Sequence, residues 1–530
     1  MLFTSYEFLA FLAIVLALYY ILPKKTQWAV LLAASYAFYA LSGIEYLAFI
    51  AVTTITSFAA ARLMGRVSDG EKRYLEGRGE ELSKEEKKAY KAKKKKRRFL
   101  ILCLALALNF GILAVLKYTA FAVVNVNSLL HTFGAETTLT VPSLILPLGI
   151  SFYTFQTMGY LIDVYWAKAE AQKNIFKLAL FTSFFPQLIQ GPISRFSDLA
   201  PQLFGEHKFE RKNVTYGLQR ILWGYFKKLV IADRVLIAVN AAAESPENFG
   251  GVYVFLLIIL YSVQIYADFT GGIDITIGIA EAMGIRLAEN FNRPFSSRST
   301  KEYWNRWHIT MGSWFNDYVF NPVSVCRPML AISKKSRKWF GKKVGKRIPV
   351  YLATVITWFL TGLWHGAGWN FIVWGLLNAL VIIVSQELEP LYSRFRKRFP
   401  RLCASWGYGA FASIRTFLLM GLIRSLDVYR NVPLTFKMWG SIFTKFNLPE
   451  LLSGGISALG LGLADYIIIV CGCIIMFAVS SLGKERSVRD RLYNRPVLSW
   501  CLCGALFVAV ILFGAYSVGY DASQFIYNQF

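Results

Sequence analysis

The chain has 530 residues, of which 55% are hydrophobic and 17% charged, with a formal net charge of +26. Apolar runs recur along its whole length and leave no polar stretch long enough for a separate soluble domain, which excludes an ordinary globular enzyme. The charge does not point to nucleic acid either. It collects in short segments at Arg66–Arg98, Lys334–Arg347, Arg394–Arg401 and Lys484–Arg495, the pattern of cytoplasmic loops lying against an anionic inner leaflet.

The run Phe8–Leu22 predicts a first membrane helix. Glu7 precedes it and Lys24 and Lys25 follow it, the reverse of a cleavable signal peptide, so the N-terminus is expected outside. Trp28–Tyr39 exits and Leu47–Met64 returns to the basic loop, in which Glu80–Tyr90 has the look of a surface amphipathic helix. Phe99 to about Leu130 goes out and Leu144–Tyr165 comes back. Leu178–Ile193 is too short and too broken to span. Pro186, Gly191 and Pro192 interrupt it, and hydrocarbon tolerates this only where protein or water satisfies the freed backbone. A re-entrant or pocket-lining segment is expected there.

Asn213–Asn240 runs out, Val252–Tyr266 returns, and Asp268-Phe-Thr-Gly-Gly272-Ile-Asp274 reads as a second glycine break beside two carboxylates. Ser297–Val323, dense in Trp, Arg and Asn, is too polar to face lipid and is expected to fold back. Pro349–Trp364, Asn370–Ser385, Phe411–Leu422, Asp465–Val479 and Val497–Phe513 complete the path, with Asp427–Leu463 outside or along the surface. The result is an all-α polytopic membrane protein with about 10–13 membrane helices plus re-entrant segments. It divides into helices over 1–65, a basic cytoplasmic loop over 66–98, a core over 99–424, further helices over 425–519 and an extracytoplasmic tail over 520–530. The seven cysteines show neither zinc spacing nor a disulfide framework, so no metal site is expected.

Two of the four histidines lie in aromatic, glycine-studded stretches, Tyr303-Trp-Asn305-Arg306-Trp307-His308 and Thr361-Gly-Leu-Trp364-His365-Gly-Ala-Gly. An imidazole titrates near neutrality and its charged form is costly in hydrocarbon, so one kept at depth has a chemical use by default. His365 reads equally as a general base and as an interfacial residue of an aromatic belt. His308 reads as a packed structural histidine or as one that orients a substrate. Arg195, Arg293, Arg298, Arg306, Asp268 and Asp274 stand near breaks and serve either a substrate or the fastening of two segments. The segment Phe525-x-Tyr527-x-x-Phe530 is, on physics alone, an interface anchor or a carrier of chemistry.

In order along the chain, Phe185-Pro-Gln…Gly191-Pro-Ile-Ser-Arg195, Tyr266-Ala-Asp268-Phe-Thr-Gly, Asn290-Phe-Asn-Arg-Pro294-Phe, Tyr303-Trp-Asn-Arg-Trp-His308 and Leu363-Trp-His365-Gly-Ala resemble the membrane-bound O-acyltransferase family. Within it they are similar to the branch of the alginate O-acetyltransferases, and the resemblance covers most of the chain. It implies a helical core around a central tunnel, with His365 in the position of the catalytic histidine and His308 in that of a supporting polar residue. Arg195, Asn305, Arg306, Trp307 and Trp364 become substrate-binding candidates. Transfer of an acyl group from a cytoplasmic thioester, acetyl-coenzyme A by expectation, follows from it, with no bound cofactor. So does an extracytoplasmic polysaccharide or cell-wall polymer as acceptor. The motif Phe525-x-Tyr527-x-x-Phe530 resembles one proposed to carry the acyl group on tyrosine. A partner transferase of the SGNH type and the bacterial cytoplasmic membrane, with both termini outside, complete the expectation. The alternatives are a lipid or protein acyltransferase of the same family, or a cell-wall precursor flippase using Arg195 and the two aspartates.

Overall fold

The computed structural model describes residues 2–78, 80–135, 137–483 and 487–516. Among them the regular structure is helical, relieved by one isolated antiparallel bridge between Phe291 and Trp307. Eight helices are long and apolar enough to cross a membrane: Ile44–Arg78, Lys84–Thr132, Val252–Ala282, Ile348–His365, Trp369–Glu387, Trp406–Tyr429, Leu463–Leu482 and Pro496–Phe513. The number expected from hydropathy was higher. Helices such as Tyr6–Ile21, with 16 residues, carry membrane-like composition but at ~1.5 Å per residue fall short of a ~30 Å hydrocarbon core. The Phe525, Tyr527 and Phe530 motif lies outside the described residues.

The chain divides into two compact units, one of residues up to Gly217 with Ile279–Ala288, the other of Leu218–Gly278 with the described residues from Glu289 onward. This division falls inside the core expected over 99–424. In the first unit the expected basic loop 66–98 is helical on both sides of a short turn, with Leu47–Arg78 and Lys84–Thr132 as its arms. Ser83 and Glu86 form a reciprocal cap that starts the second arm, satisfying two backbone donors that would otherwise be orphaned. Tyr74 stacks on Tyr90 at 4.2 Å, and Arg98 reaches Ser68 at 2.8 Å and Glu71 at 3.5 Å. Charge density hid this hairpin, because Lys, Glu and Ala are strong helix formers as well as loop residues.

The broken segment fares as its prolines predict. Residues 178–194 are buried without interruption. The helix Ile175–Ser183 stops at Phe184, and the freed groups are met from within the protein. The Phe185 amide donates to Ser35 Oγ at 3.1 Å, while Gln187 Nε2 donates to Pro192 O and to Ser194 Oγ, each at 2.7 Å. Gly149, at φ +69°, lets Leu188 O approach to within 2.1 Å of where a Cβ would stand.

In the second unit the expected glycine break at 268–274 is absent, since these residues run through the continuous helix Val252–Ala282. Gly271 instead permits a close helix crossing: a Cβ on Gly224 would stand 2.6 Å from Gly271 O. Opposite lies the stretch Phe226–Ala232, where helical hydrogen bonding widens to i→i+5. Lys228 Nζ, fully buried, sits 2.7 Å from both Asp233 and Asp268. Its neighbour Lys227 meets Asp274 at 2.6 Å, and Arg220 joins Asp274 at 2.9 Å to Glu289 at 2.6 Å. The two aspartates thus fasten segments together. The expected loop Lys334–Arg347 is also mostly helix, within Arg327–Gly345.

A buried ion pair contributes modestly when complete but costs about 3–5 kcal/mol when one partner is removed. Lys228→Met is therefore expected to lower the thermal midpoint of the detergent-solubilised protein sharply. The triple variant Lys228→Met, Asp233→Asn, Asp268→Asn should recover most of the loss. Equal midpoints for wild type and Lys228→Met would show that the lysine does not hold the crossing.

Candidate active site

The helix Ile348–His365 begins with Pro349 in its first turn and ends at His365, where Gly366 leaves the helical conformation. Trp369–Glu387 follows after a turn of three residues, and the two helices lie back to back. Small residues allow this. A Cβ on Gly362 would stand 2.4 Å from Phe371 O, and one on Gly375 2.3 Å from Trp358 O. The close crossing brings Trp374 against His365, with ring centroids 4.7 Å apart and an edge-on approach. Trp304 and Trp358 complete the wall around Trp374, at 5.7 and 5.9 Å. The histidine thus ends a helix inside an aromatic lining.

His308 arrives by a different route. The helix Thr300–Arg306 is capped by Ser299 and stops at Trp307, and Ile309–Phe315 starts directly after His308. Between them His308 takes a left-handed conformation, φ 46° and ψ 54°, which is uncommon for a residue with a Cβ and is found where the surroundings over-determine it. Those surroundings are a short backbone clamp. Asn292 N donates to Arg306 O at 2.9 Å and Ile309 N to Asn290 O at 3.0 Å, around the Phe291–Trp307 bridge. The ring of His308 is fully buried. It meets Phe269 edge-on at 4.8 Å, and its Nδ1 lies 3.2 Å from Asn290 Oδ1. His308 lies outside the eight spanning helices. Burial pushes its pKa down from 6.5 to about 3, so the ring is neutral at physiological pH.

Trp364 joins the two histidines. Its buried ring lies 5.8 Å from His308 and 5.0 Å from His365. Of the other candidates, Trp307 is buried and forms the face on which Arg424 stacks, Cζ to ring centroid 4.0 Å. Arg306 is engaged locally by Glu302 at 2.7 Å and by Ser296 Oγ at 3.0 Å, and Asn305 is exposed. Arg195 belongs to the first unit, immediately before the helix Phe196–Leu203. Sequence reasoning gave no role to Asn290, Phe269 or Arg424, and read Trp374 only as one ring of the aromatic belt around His365. Arg424 does carry a signal, as a cation in an apolar helix; its Nη2 donates to Tyr303 OH at 2.8 Å. Nothing in spacing links Phe269 to a histidine 39 positions later. Among the described residues no three His, Cys, Asp or Glu side chains converge as a metal site would require.

Chemically, the aromatic wall offers imidazoles in an apolar setting, suited to moving a proton rather than to binding a charge. Comparison with known proteins places the chain among membrane acyltransferases. Residues 167–425 match the sequence profile of the membrane-bound O-acyltransferase family. A probable alginate O-acetylase of Azotobacter vinelandii is 33% identical over 394 residues, covering 73% of this chain and 69% of that protein. A peptidoglycan O-acetyltransferase of Helicobacter pylori is 32% identical over 331 residues, 58% of this chain and 59% of its own length. A teichoic acid D-alanyltransferase of Bacillus subtilis is 30% identical over 253 residues, 47% and 61% respectively.

The approach of Gly362 to a backbone carbonyl admits no side chain without parting the two helices. Overpacking of this kind costs about 1–3 kcal/mol. Gly362→Ala is expected to lower the thermal midpoint and to shift the fluorescence of the Trp358 and Trp374 pair. An unchanged midpoint would mean that the helices part without penalty.

Proposed function

The chain belongs to the membrane-bound O-acyltransferase family, a multi-pass membrane O-acyltransferase, and from that premise we propose that it acetylates an extracytoplasmic polysaccharide or cell-wall polymer. The observation that carries the reading is the meeting of His308 and His365 at the buried Trp364 ring, in a chain whose relatives are named for acyl transfer to alginate, peptidoglycan and teichoic acid.

In this reading the donor is an acyl thioester, acetyl-coenzyme A, entering from the cytoplasmic side. The first acceptor is Tyr527. Its phenol, with a pKa near ~10, is a weak nucleophile at neutral pH unless a base takes its proton. His365 takes that proton as the phenolic oxygen attacks the thioester carbonyl. The C–S bond then breaks, and the imidazolium returns the proton to the leaving thiolate. The acetyl ester on Tyr527 is a better donor than a sugar ester, so passage to a polymer hydroxyl runs downhill. A partner transferase of the SGNH type performs that last step outside. Both termini face outside in the bacterial cell membrane, and the basic segments face the cytoplasm. His308, neutral by burial, orients the reactants.

The test is purified protein in nanodiscs incubated with acetyl-coenzyme A labelled in the acetyl group, followed by peptide mapping. Label on Tyr527 that is lost in His365→Ala, by about two to four orders of magnitude in rate, is the expected result. Label persisting in His365→Ala would remove the base assignment. Normal polymer acetylation in cells by Tyr527→Phe would remove the tyrosyl intermediate. Full activity of both variants would favour a flippase instead.

A further inference from the structure

Asn290 is fully buried and lies between the two elements that hold His308. Its side-chain oxygen has three neighbours. Thr310 N donates to Oδ1 at 3.1 Å, Thr310 Oγ1 donates to it at 2.9 Å, and His308 Nδ1 lies 3.2 Å away. A backbone N–H can only donate, so the Thr310 amide decides which end of the Asn290 amide faces it. Flipping the side chain would set an NH2 group against that N–H. With the oxygen in place, a hydrogen bond to His308 forms only if Nδ1 carries the proton. A neutral imidazole has one proton to place, so Nε2, on the far side of the ring from Asn290, keeps its lone pair.

We propose that Asn290 is a positioning residue that locks His308 in the Nδ1–H tautomer, so that His308 presents Nε2 as a hydrogen-bond acceptor to a hydroxyl or amide donor of the reactants. This rests on the acyl-transfer reading above and narrows it. A thioester carbonyl is itself only an acceptor, so it is not the partner of His308, and stabilisation of the developing oxyanion falls to other groups. The left-handed backbone at His308 belongs to the same device. Ile309 N pairs with Asn290 O at 3.0 Å while the side chain of Asn290 takes Thr310 and the imidazole, so one residue fixes both the backbone and the ring. The arrangement repeats a general logic in which the second ring nitrogen of a functional histidine is held by a neighbouring acceptor.

The test uses the full chain in nanodiscs, labelled with 15N-histidine, and two-bond 1H–15N correlation, with His308 assigned by comparison with His308→Gln. The wild type is expected to show a protonated Nδ1 and an unprotonated Nε2 at His308. Asn290→Leu removes the acceptor, and is expected to lose that signature and at least about tenfold in kcat for acetyl transfer. Asn290→Asp keeps an acceptor for both Thr310 and the ring, and should restore the Nδ1–H signature and bring kcat to within a few-fold of wild type. An Nε2–H tautomer in the wild type overturns the proposal. So does a folded Asn290→Leu that keeps both the Nδ1–H signature and the rate. A wild type with the expected tautomer that fails to transfer acetyl from acetyl-coenzyme A would defeat the acyl-transfer reading while leaving the lock on His308 in place.

Discussion

Wherever this chain leaves a helix in apolar surroundings, its backbone polar groups must find partners inside the protein, and that requirement organises the rest. Hydrocarbon supplies no hydrogen bonds, and each unmet group costs several kcal/mol. The break at Phe184–Arg195 is answered by Ser35 and Gln187. The break at Trp307–Ile309 is answered by residues 290–292, which approach through one isolated antiparallel bridge and its flanking backbone hydrogen bonds. The second answer leaves a histidine in a left-handed turn with its ring aimed by an asparagine. Backbone satisfaction and ring orientation are therefore one construction.

The second histidine is placed by the opposite means. His365 ends an unbroken helix, and its surroundings come from how closely the next helix packs. Gly362 and Gly375 let the two backbones touch, and contact at that distance puts the Trp374 ring edge-on to His365. In an apolar setting the association of helices rests on such small-residue contacts, because apolar side chains gain little by leaving lipid for one another. The charged residues take a third part. Arg220, Lys227 and Lys228 pair with Asp268 and Asp274 on the neighbouring helix, so the two aspartates, which the sequence left open between serving a substrate and fastening segments, stand in ion pairs between helical segments.

Much of this architecture is legible in the order of residue types alone. Hydropathy locates the spanning helices, and the prolines at 186 and 192 mark a segment that cannot cross the membrane simply. Two stretches mislead for identifiable reasons. Arg66–Arg98 resembles a loop because of its charge density, although Lys and Glu are also strong helix formers. Asp268–Asp274 resembles a break because a Gly-Gly pair weakens an isolated helix, whereas here tight packing against Gly224 rewards it. The count of spanning helices among the described residues falls below the expected one where an apolar helix such as Tyr6–Ile21 has only 16 residues.

By itself the sequence determined the class of molecule and the residues with chemical potential, since composition, periodicity and the cost of a buried imidazole are properties of residue type. His308 and His365 stood out on those grounds alone. Only the tertiary structure decided what surrounds them. Trp364 beside His308, Phe269 against His308 and Asn290 at its Nδ1 are contacts between distant parts of the chain. No local pattern encodes them. They arise where broken backbone must be satisfied and where glycines let helices close.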